Sequence, residues 1–329
     1  MSTMDKHYDK NHYFTSSNWG KWGDDDEKGV LNDLTPDQVL KAISLVKKGK
    51  IYDLETERFH GMPIWDGHCG FEILSYANPM GRRNMKGSGK YDKAYSWNDD
   101  GGMLGKDKDA YHMGCNSELM IAPLHSGTHI DALCHWTTGK DDHFYNGYSC
   151  ANYMSNFGPL KCDVAQIPPM VMRGVLLDIA GYKGLPHLKP NYIITPEDCK
   201  ACAEWEGITL QKGDAILLRT GEKWPDSSNC PNAGLGLPAA RYLVEECGAY
   251  IIGDDMSCLD GFHADGSSSV PMHPQPVHHY LLIQMGIHIM EYLQLDKLAA
   301  DKEYEVCFIC TPAKVRSATA MFIRPIAIV

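Results

Sequence analysis

The segment HSGTHIDALCH, residues 125–135, places three histidines and an aspartate within eleven residues. His125, His129 and Asp131 offer two imidazoles and a carboxylate, a donor set that suits Zn2+, Mn2+ or Fe2+ and leaves room for water. An ion so held activates water for attack on a carbonyl. His135, just outside that set, is the candidate general base and acid. Four chelating groups this close in sequence favour a joint site over a run of unrelated surface histidines.

The chain must bend to gather them. ELMIAPLH, just upstream, reads as a strand that brings His125 near its end. Further extension would put the odd positions 125, 129, 131 and 135 on one face. It would also hold His125 and Asp131 roughly 20 Å apart, too far to share an ion. Gly127 permits the bend, and Thr128 can brace it through its hydroxyl. Asp131 and His135 then have the i, i+4 spacing of a helical turn.

Around this segment the chain alternates strand-like and helix-like pieces. RGVLLDIAGY, GDAILLRTG, AYIIGDD, IHIMEYL and EYEVCFICTPAKV read as strands, and ATAMFIRPIAIV closes the chain. TPEDCKACAEWEG, LPAARYLVEECG and PVHHYLLIQMG read as the intervening helices. That alternation predicts α/β layering with sites at strand ends. In TPDQVLKAISLVKKGK, Thr35 is the expected N-cap, Pro36 the first helical residue and Val39, Leu40, Ile43 and Val46 the apolar stripe. Residues 1–30 read as an extended N-terminal arm whose Trp19 and Trp22 need cover from the body or a partner subunit. Residues 31–329 read as a single domain. The Gly-, Asn- and Met-rich stretch of about 60–115 is too long for an ordinary connection and reads as an insert that could border a site.

Composition narrows the class. Of 329 residues 43% are hydrophobic and 22% charged, as in an ordinary globular protein with a sizeable core. A net charge of −11 speaks against a nucleic-acid or anionic-membrane partner. The N-terminus MSTMDKHYDKNHYF lacks a signal-peptide core, so a cytoplasmic protein with reduced thiols is expected. The pairs Cys199/Cys202 and Cys307/Cys310 could in principle hold a structural zinc, but they fall on a helix and a strand without the usual glycine knuckle. P-loop, GxGxxG, GxSxG and HExxH patterns are missing, which leaves nucleotide-cofactor and serine or zincin chemistry without support.

HSGTHIDALCH resembles the HxGTHxDxPxH signature of the metal-dependent cyclase-like hydrolases, the family of bacterial kynurenine formamidase and isatin hydrolase. His125, Gly127, Thr128, His129, Asp131 and His135 all fall in place, while Leu133 stands where the family has proline. The similarity continues through RGVLLDIAGY, GDAILLRTG, YIIGDD and GIHIMEYLQLDKL. It implies a swivelling β/β/α barrel-like core, assembled as a homodimer or homotetramer. It further implies that His125, His129 and Asp131 are ligands of one or two Mn2+ or Zn2+ ions, with His135 as proton shuttle. A second ion is expected on a later histidine and a glutamate twelve residues on. His279 and Glu291 have that separation, with His278 the adjacent alternative. Trp65, in WDGH, resembles the family's aromatic segment near the substrate and is the candidate stacking residue. Asp254 and Asp255 are candidates for orienting a ligand histidine, or for capping a loop.

The implied activity is hydrolysis of a carbon–nitrogen bond in a small cyclic or aryl amide. N-formylkynurenine is the alternative substrate, and a non-catalytic metal-dependent binding protein the alternative class.

Overall fold

The structure is a computed structural model that describes residues 16–77, 116–226 and 231–329. Most of the 60–115 insert and the first half of the arm lie outside the described residues. The chain divides into two compact units, one of residues 1–57 with 124–329 and one of residues 58–123.

The larger unit is built on a nine-stranded sheet. Its strands are β1 (Ile51–Asp53), β2 (His129–Asp131), β3 (Met170–Asp178), β4 (Ala215–Arg219), β5 (Ile251–Asp254), β6 (His288–Glu291), β7 (Glu305–Cys310), β8 (Ala320–Phe322) and β9 (Ile326–Ile328). The spatial order is β1-β9-β7-β3-β4-β5-β6-β2-β8. The central run β3-β4-β5-β6 is parallel, and β2 joins it antiparallel to β6. Parallel strands are covered on both faces and read as continuous apolar runs. Val175, Leu176 and Leu177 in β3 and Ile216, Leu217 and Leu218 in β4 are accordingly all buried.

Helices cross over between the parallel strands. Pro196–Glu206 carries a full capping box at Thr195 and Asp198 and ends on left-handed Gly207. Leu237–Arg241 continues as a π-helix over Tyr242–Glu246, and Pro276–His278 continues as one over His279–Met285. The early helix forms at Pro36–Ser44 with Thr35 as its cap. Its expected apolar stripe is not its buried face. Only Ala42 is buried, while Leu40 and Ile43 are exposed. Both CxxC pairs are buried, on the helix Pro196–Glu206 and on β7, and all four thiols are free. Among the described residues neither pair belongs to a metal-binding cluster.

Residues 16–33 form turns and a short 3-10 helix, Gly29–Asp33, rather than an extended arm. They lie against the chain's own body and satisfy the end of the π-helix His279–Met285. A helix C-terminus leaves its last carbonyls without intrahelical donors. Here Trp19 Nε1 donates to Ile283 O at 2.6 Å, and Asn18 donates from N to Gln284 O and from Nδ2 to Met285 O. Val30 N completes the set on Gly286 O at 2.9 Å. Trp19 is thereby buried without a partner subunit. Gly29 makes this approach possible. It has φ +61°, and a Cβ there would lie 2.0 Å from Gly286 O. Gly29→Ala is expected to lower stability by about 1–3 kcal/mol, read as a shift in denaturation midpoint.

The smaller unit contains an antiparallel hairpin, Glu72–Ala77 with Ser117–Ile121. Ile73, Leu74, Leu119, Met120 and Ile121 on it are exposed. Among the described residues no helix is long and apolar enough to cross a membrane.

Candidate metal centre

The centre forms at the carboxyl ends of β5 and β6, where open α/β sheets characteristically hold their ligands. Register does the first part of the work. His129 on β2 stands directly opposite Glu291 on β6, and Asp131, two residues on, shares the face of His129. The result is His129 Nε2 at 3.5 Å from Asp131 Oδ1 and 3.4 Å from Glu291 Oε2.

His125 enters from the bend before β2. Gly127 is left-handed at φ +57°, as the bend requires. Thr128 braces it by long-range bonds: its hydroxyl donates to Tyr292 O at 2.6 Å and accepts from Thr56 N at 2.8 Å. His125 is not on a strand, because the strand upstream ends at Ile121. His125 Nδ1 lies 2.8 Å from Asp131 Oδ1. Nor are Asp131 and His135 on a helix. Asp131 ends β2, and a turn closed by His135 N on Ala132 O carries the chain round. The His135 ring then stacks on that of His125 with centroids 3.9 Å apart. Leu133, in the proline position, is fully buried, so packing holds this turn.

His278, not His279, completes the cluster. His278 Nε2 is 3.3 Å from Glu291 Oε1 and 3.7 Å from Asp131 Oδ2. His279 faces elsewhere, with Nε2 2.9 Å from Thr138 Oγ1 and its ring edge-on to His273. Successive helical residues point about 100° apart, so only one of the two can face the centre. The count from the true partner to Glu291 is thirteen, not twelve. The intervening π-helix His279–Met285 accommodates this, since each π hydrogen bond spans one residue more than an α bond.

Each imidazole is held with one nitrogen occupied and the other turned inward. His129 Nδ1 is 2.8 Å from Gly127 O, His125 Nε2 is 3.0 Å from Thr319 Oγ1, and His278 Nδ1 is 2.6 Å from Asp260 Oδ2. For His129 and His278, whose outer partners only accept, this tethering puts the proton on Nδ1 and turns Nε2 toward the centre. Asp131 lies at the middle. It is 1% exposed, and neither of its oxygens accepts an aligned hydrogen bond. A buried carboxylate without donors is costly, and a cation resolves it. The groups His125–His129–Asp131 and Asp131–His278–Glu291 each have donor atoms within 4.8 Å of one another, so the residues fit one ion or two bridged by Asp131.

Electrostatics agree with this geometry. Burial alone would raise the Asp131 carboxyl, but the facing His135 and His125 hold it well below its ordinary value. Burial opposes protonation of His278, yet Asp260 and Glu291 raise it well above the usual imidazole range. His135 is pushed down to about 3, chiefly by burial, which keeps it neutral near pH 7.

The two aspartates expected to orient a ligand histidine do other work. Asp255 accepts from Thr220 N, Thr220 Oγ1 and Gly221 N, tying the RTG turn after β4 to the end of β5. Asp254 accepts from Met256 N. Asp260 is the orienting residue, and it also takes Val277 N and His278 N. No local pattern marks it in the sequence. Asp260→Asn is expected to weaken divalent-ion affinity about 10–100-fold, measured by equilibrium dialysis, with the fold intact. Trp65 belongs to the smaller unit, where it is 71% exposed and edge-on to His68.

Residues 52–261 match the family named Cyclase and described as "Putative cyclase". The chain belongs to the cyclase family. Among its relatives, this cyclase-family chain is 24% identical to an isatin hydrolase of Roseibium aggregatum over 220 residues, 64% of this chain and 73% of that protein. It is also similar to the crystal structure of a novel cyclase, with a TM-score of 0.77 and 25% identity over 95% of this chain and 98% of the other. Isatin hydrolase A from Labrenzia aggregata, bound to benzyl benzoate, shares the fold with a TM-score of 0.55. It is 19% identical, over 88% of this chain and 97% of the other.

Proposed function

We propose that this cyclase-family protein is a metal-dependent hydrolase that opens the carbon–nitrogen bond of a small cyclic or aryl amide. The observation that carries the reading is Asp131, buried among three imidazoles whose outer nitrogens are already tethered, with neither of its oxygens accepting an aligned hydrogen bond. His125, His129 and Asp131 would hold a first Mn2+ or Zn2+ ion, and His278 and Glu291 would share Asp131 with a second. A divalent ion in this position supplies Lewis-acid activation of the carbonyl and of water.

The chain's own part is positioning and proton transfer. Glu291 is fixed by Leu259 N at 2.9 Å and the three imidazoles by their tethers, so the donor set is preorganised. His135, neutral and stacked beside His125, is placed to take a proton from water as the oxygen adds to the amide carbon. It then returns that proton to the nitrogen as the carbon–nitrogen bond breaks.

A cyclic amide is favoured because the relative in Roseibium is an isatin hydrolase, and isatin is a planar lactam. N-formylkynurenine, an aryl formamide, is the second substrate to test. Exposed Leu40 and Ile43, and the apolar hairpin of the smaller unit, support assembly as a homodimer or homotetramer. The decisive assay gives metal-free protein, with and without Mn2+ or Zn2+, both substrates in parallel. Metal-dependent ring opening of isatin above formamide cleavage is the expected result. Equal rates with and without metal would remove the proposal.

A further inference from the structure

Beside this centre stands a further group of donors that shares His278 with it and adds the thiol of Cys258, which the proposed hydrolysis leaves unused. The sulfur of Cys258, a carboxylate oxygen of Asp260 and a ring nitrogen of His278 lie within 4.8 Å of one another. Cys258 and Asp260 both come from the loop that follows β5. His278 is common to both groups, with Nε2 toward Asp131 and Glu291 and Nδ1 toward Asp260. Asp260 and His278 are buried, while Cys258 is partly exposed and so within reach of an incoming ion.

The surroundings are those of a cation. Glu291, Asp260 and Asp254 all lie close enough to act on Cys258 through their charge. Asp254 is 1% exposed, and its Oδ2 accepts no hydrogen bond. A thiol used only as a small apolar filler is ordinarily set among apolar groups. Here it is set among acids, one with an oxygen that has no donor. Oxygen and imidazole donors alone bind hard and borderline ions without strong preference, whereas a sulfur shifts the choice to soft ones.

We propose that Cys258, Asp260 and His278 form a site for a soft divalent cation of the Zn2+ or Cd2+ class, distinct from the His125–His129–Asp131 group. On binding, the Cys258 proton leaves to solvent and the thiolate becomes a ligand, while the His278 Nδ1 proton given to Asp260 moves to Nε2 beside Glu291, which frees Nδ1 and the Asp260 oxygen for the ion. Because His278 is shared, a soft ion here draws on the imidazole that also serves Asp131 and Glu291. Excess soft cation therefore competes for the second position of the neighbouring centre. The inference stands on these residues alone and does not require the amide-hydrolase reading.

The test uses the metal-free full chain and Cd2+ as the only probe. Wild type titrated with Cd2+ is expected to show thiolate-to-cadmium absorption that saturates near equimolar ion. Cys258→Ser should abolish that band, and His129→Ala should keep it, which separates this site from the neighbouring centre. No band in wild type, or an undiminished band in Cys258→Ser, overturns the proposal. A second measurement needs no variant. Cd2+ is expected to shield Cys258 from alkylation in peptide mapping of the wild type, and an unchanged alkylation rate counts against it.

Discussion

Asp131→Asn is expected to empty the centre of metal and to lower kcat/KM on the order of 10³-fold, while the metal-free protein still folds. The loss is large because this one carboxylate belongs to both donor groups, His125–His129–Asp131 and Asp131–His278–Glu291. Lewis-acid activation contributes several kcal/mol to a hydrolytic transition state, and about 4 kcal/mol corresponds to that factor. The amide keeps the shape of the carboxyl and breaks no aligned hydrogen bond, but it gives up the attraction of the facing imidazoles for the charge. His278→Ala is the informative contrast. It removes no donor from the first group, so binding at His125, His129 and Asp131 should persist. Elemental analysis of the dialysed variants reads the outcome. If Asp131→Asn keeps the metal content of wild type, Asp131 is not the shared ligand.

His135→Ala is expected to do the reverse, keeping the metal and losing about 10²–10⁴-fold in kcat. His135 contributes no atom to either donor group, yet its ring lies 3.9 Å from that of His125. In the proposed mechanism these two properties suit a proton carrier rather than a ligand. KM should change little, since nothing in the role requires ground-state contact with the amide. Parallel loss of metal and activity would instead make His135 a ligand and leave the proton transfer unassigned.

That these two residues come together was legible in the sequence, because a single segment contains both with the glycine bend that gathers them. So were most of the central strands. The apolar runs in β3, β4 and β5 are continuous enough that no other element suits them. What the sequence hid is geometry set by distant contacts. Asp131 and His135 are spaced for a helix, but pairing of His129–Asp131 with β6 and β8 holds that stretch extended and leaves the turn to do the rest. His279 was preferred to His278 on the twelve-residue separation that the family resemblance implies, but the imidazole that turns to Glu291 is that of His278, thirteen residues before it. Asp260 lies eighteen residues before His278 and is brought to it only by the fold. The stripe of Val39, Leu40, Ile43 and Val46 has helical period, but Leu40 and Ile43 stay exposed in a single chain. Periodicity reports which residues share a face, not what covers that face.

The tethered nitrogens give the centre its direction. Gly127 O, Thr319 Oγ1 and Asp260 Oδ2 each occupy the outer nitrogen of one histidine, so the inner nitrogens converge near Asp131 whether or not an ion is bound. That preorganisation makes metal affinity, rather than folding, the property most sensitive to mutation here.

Crystals of the protein soaked in Mn2+ and measured at a wavelength where manganese scatters anomalously would locate the ion without reference to activity. The strongest anomalous peak should fall between His125, His129 and Asp131, with any second peak between Asp131, His278 and Glu291. A map with manganese bound elsewhere, and with those side chains turned away from one another, would contradict the assignment.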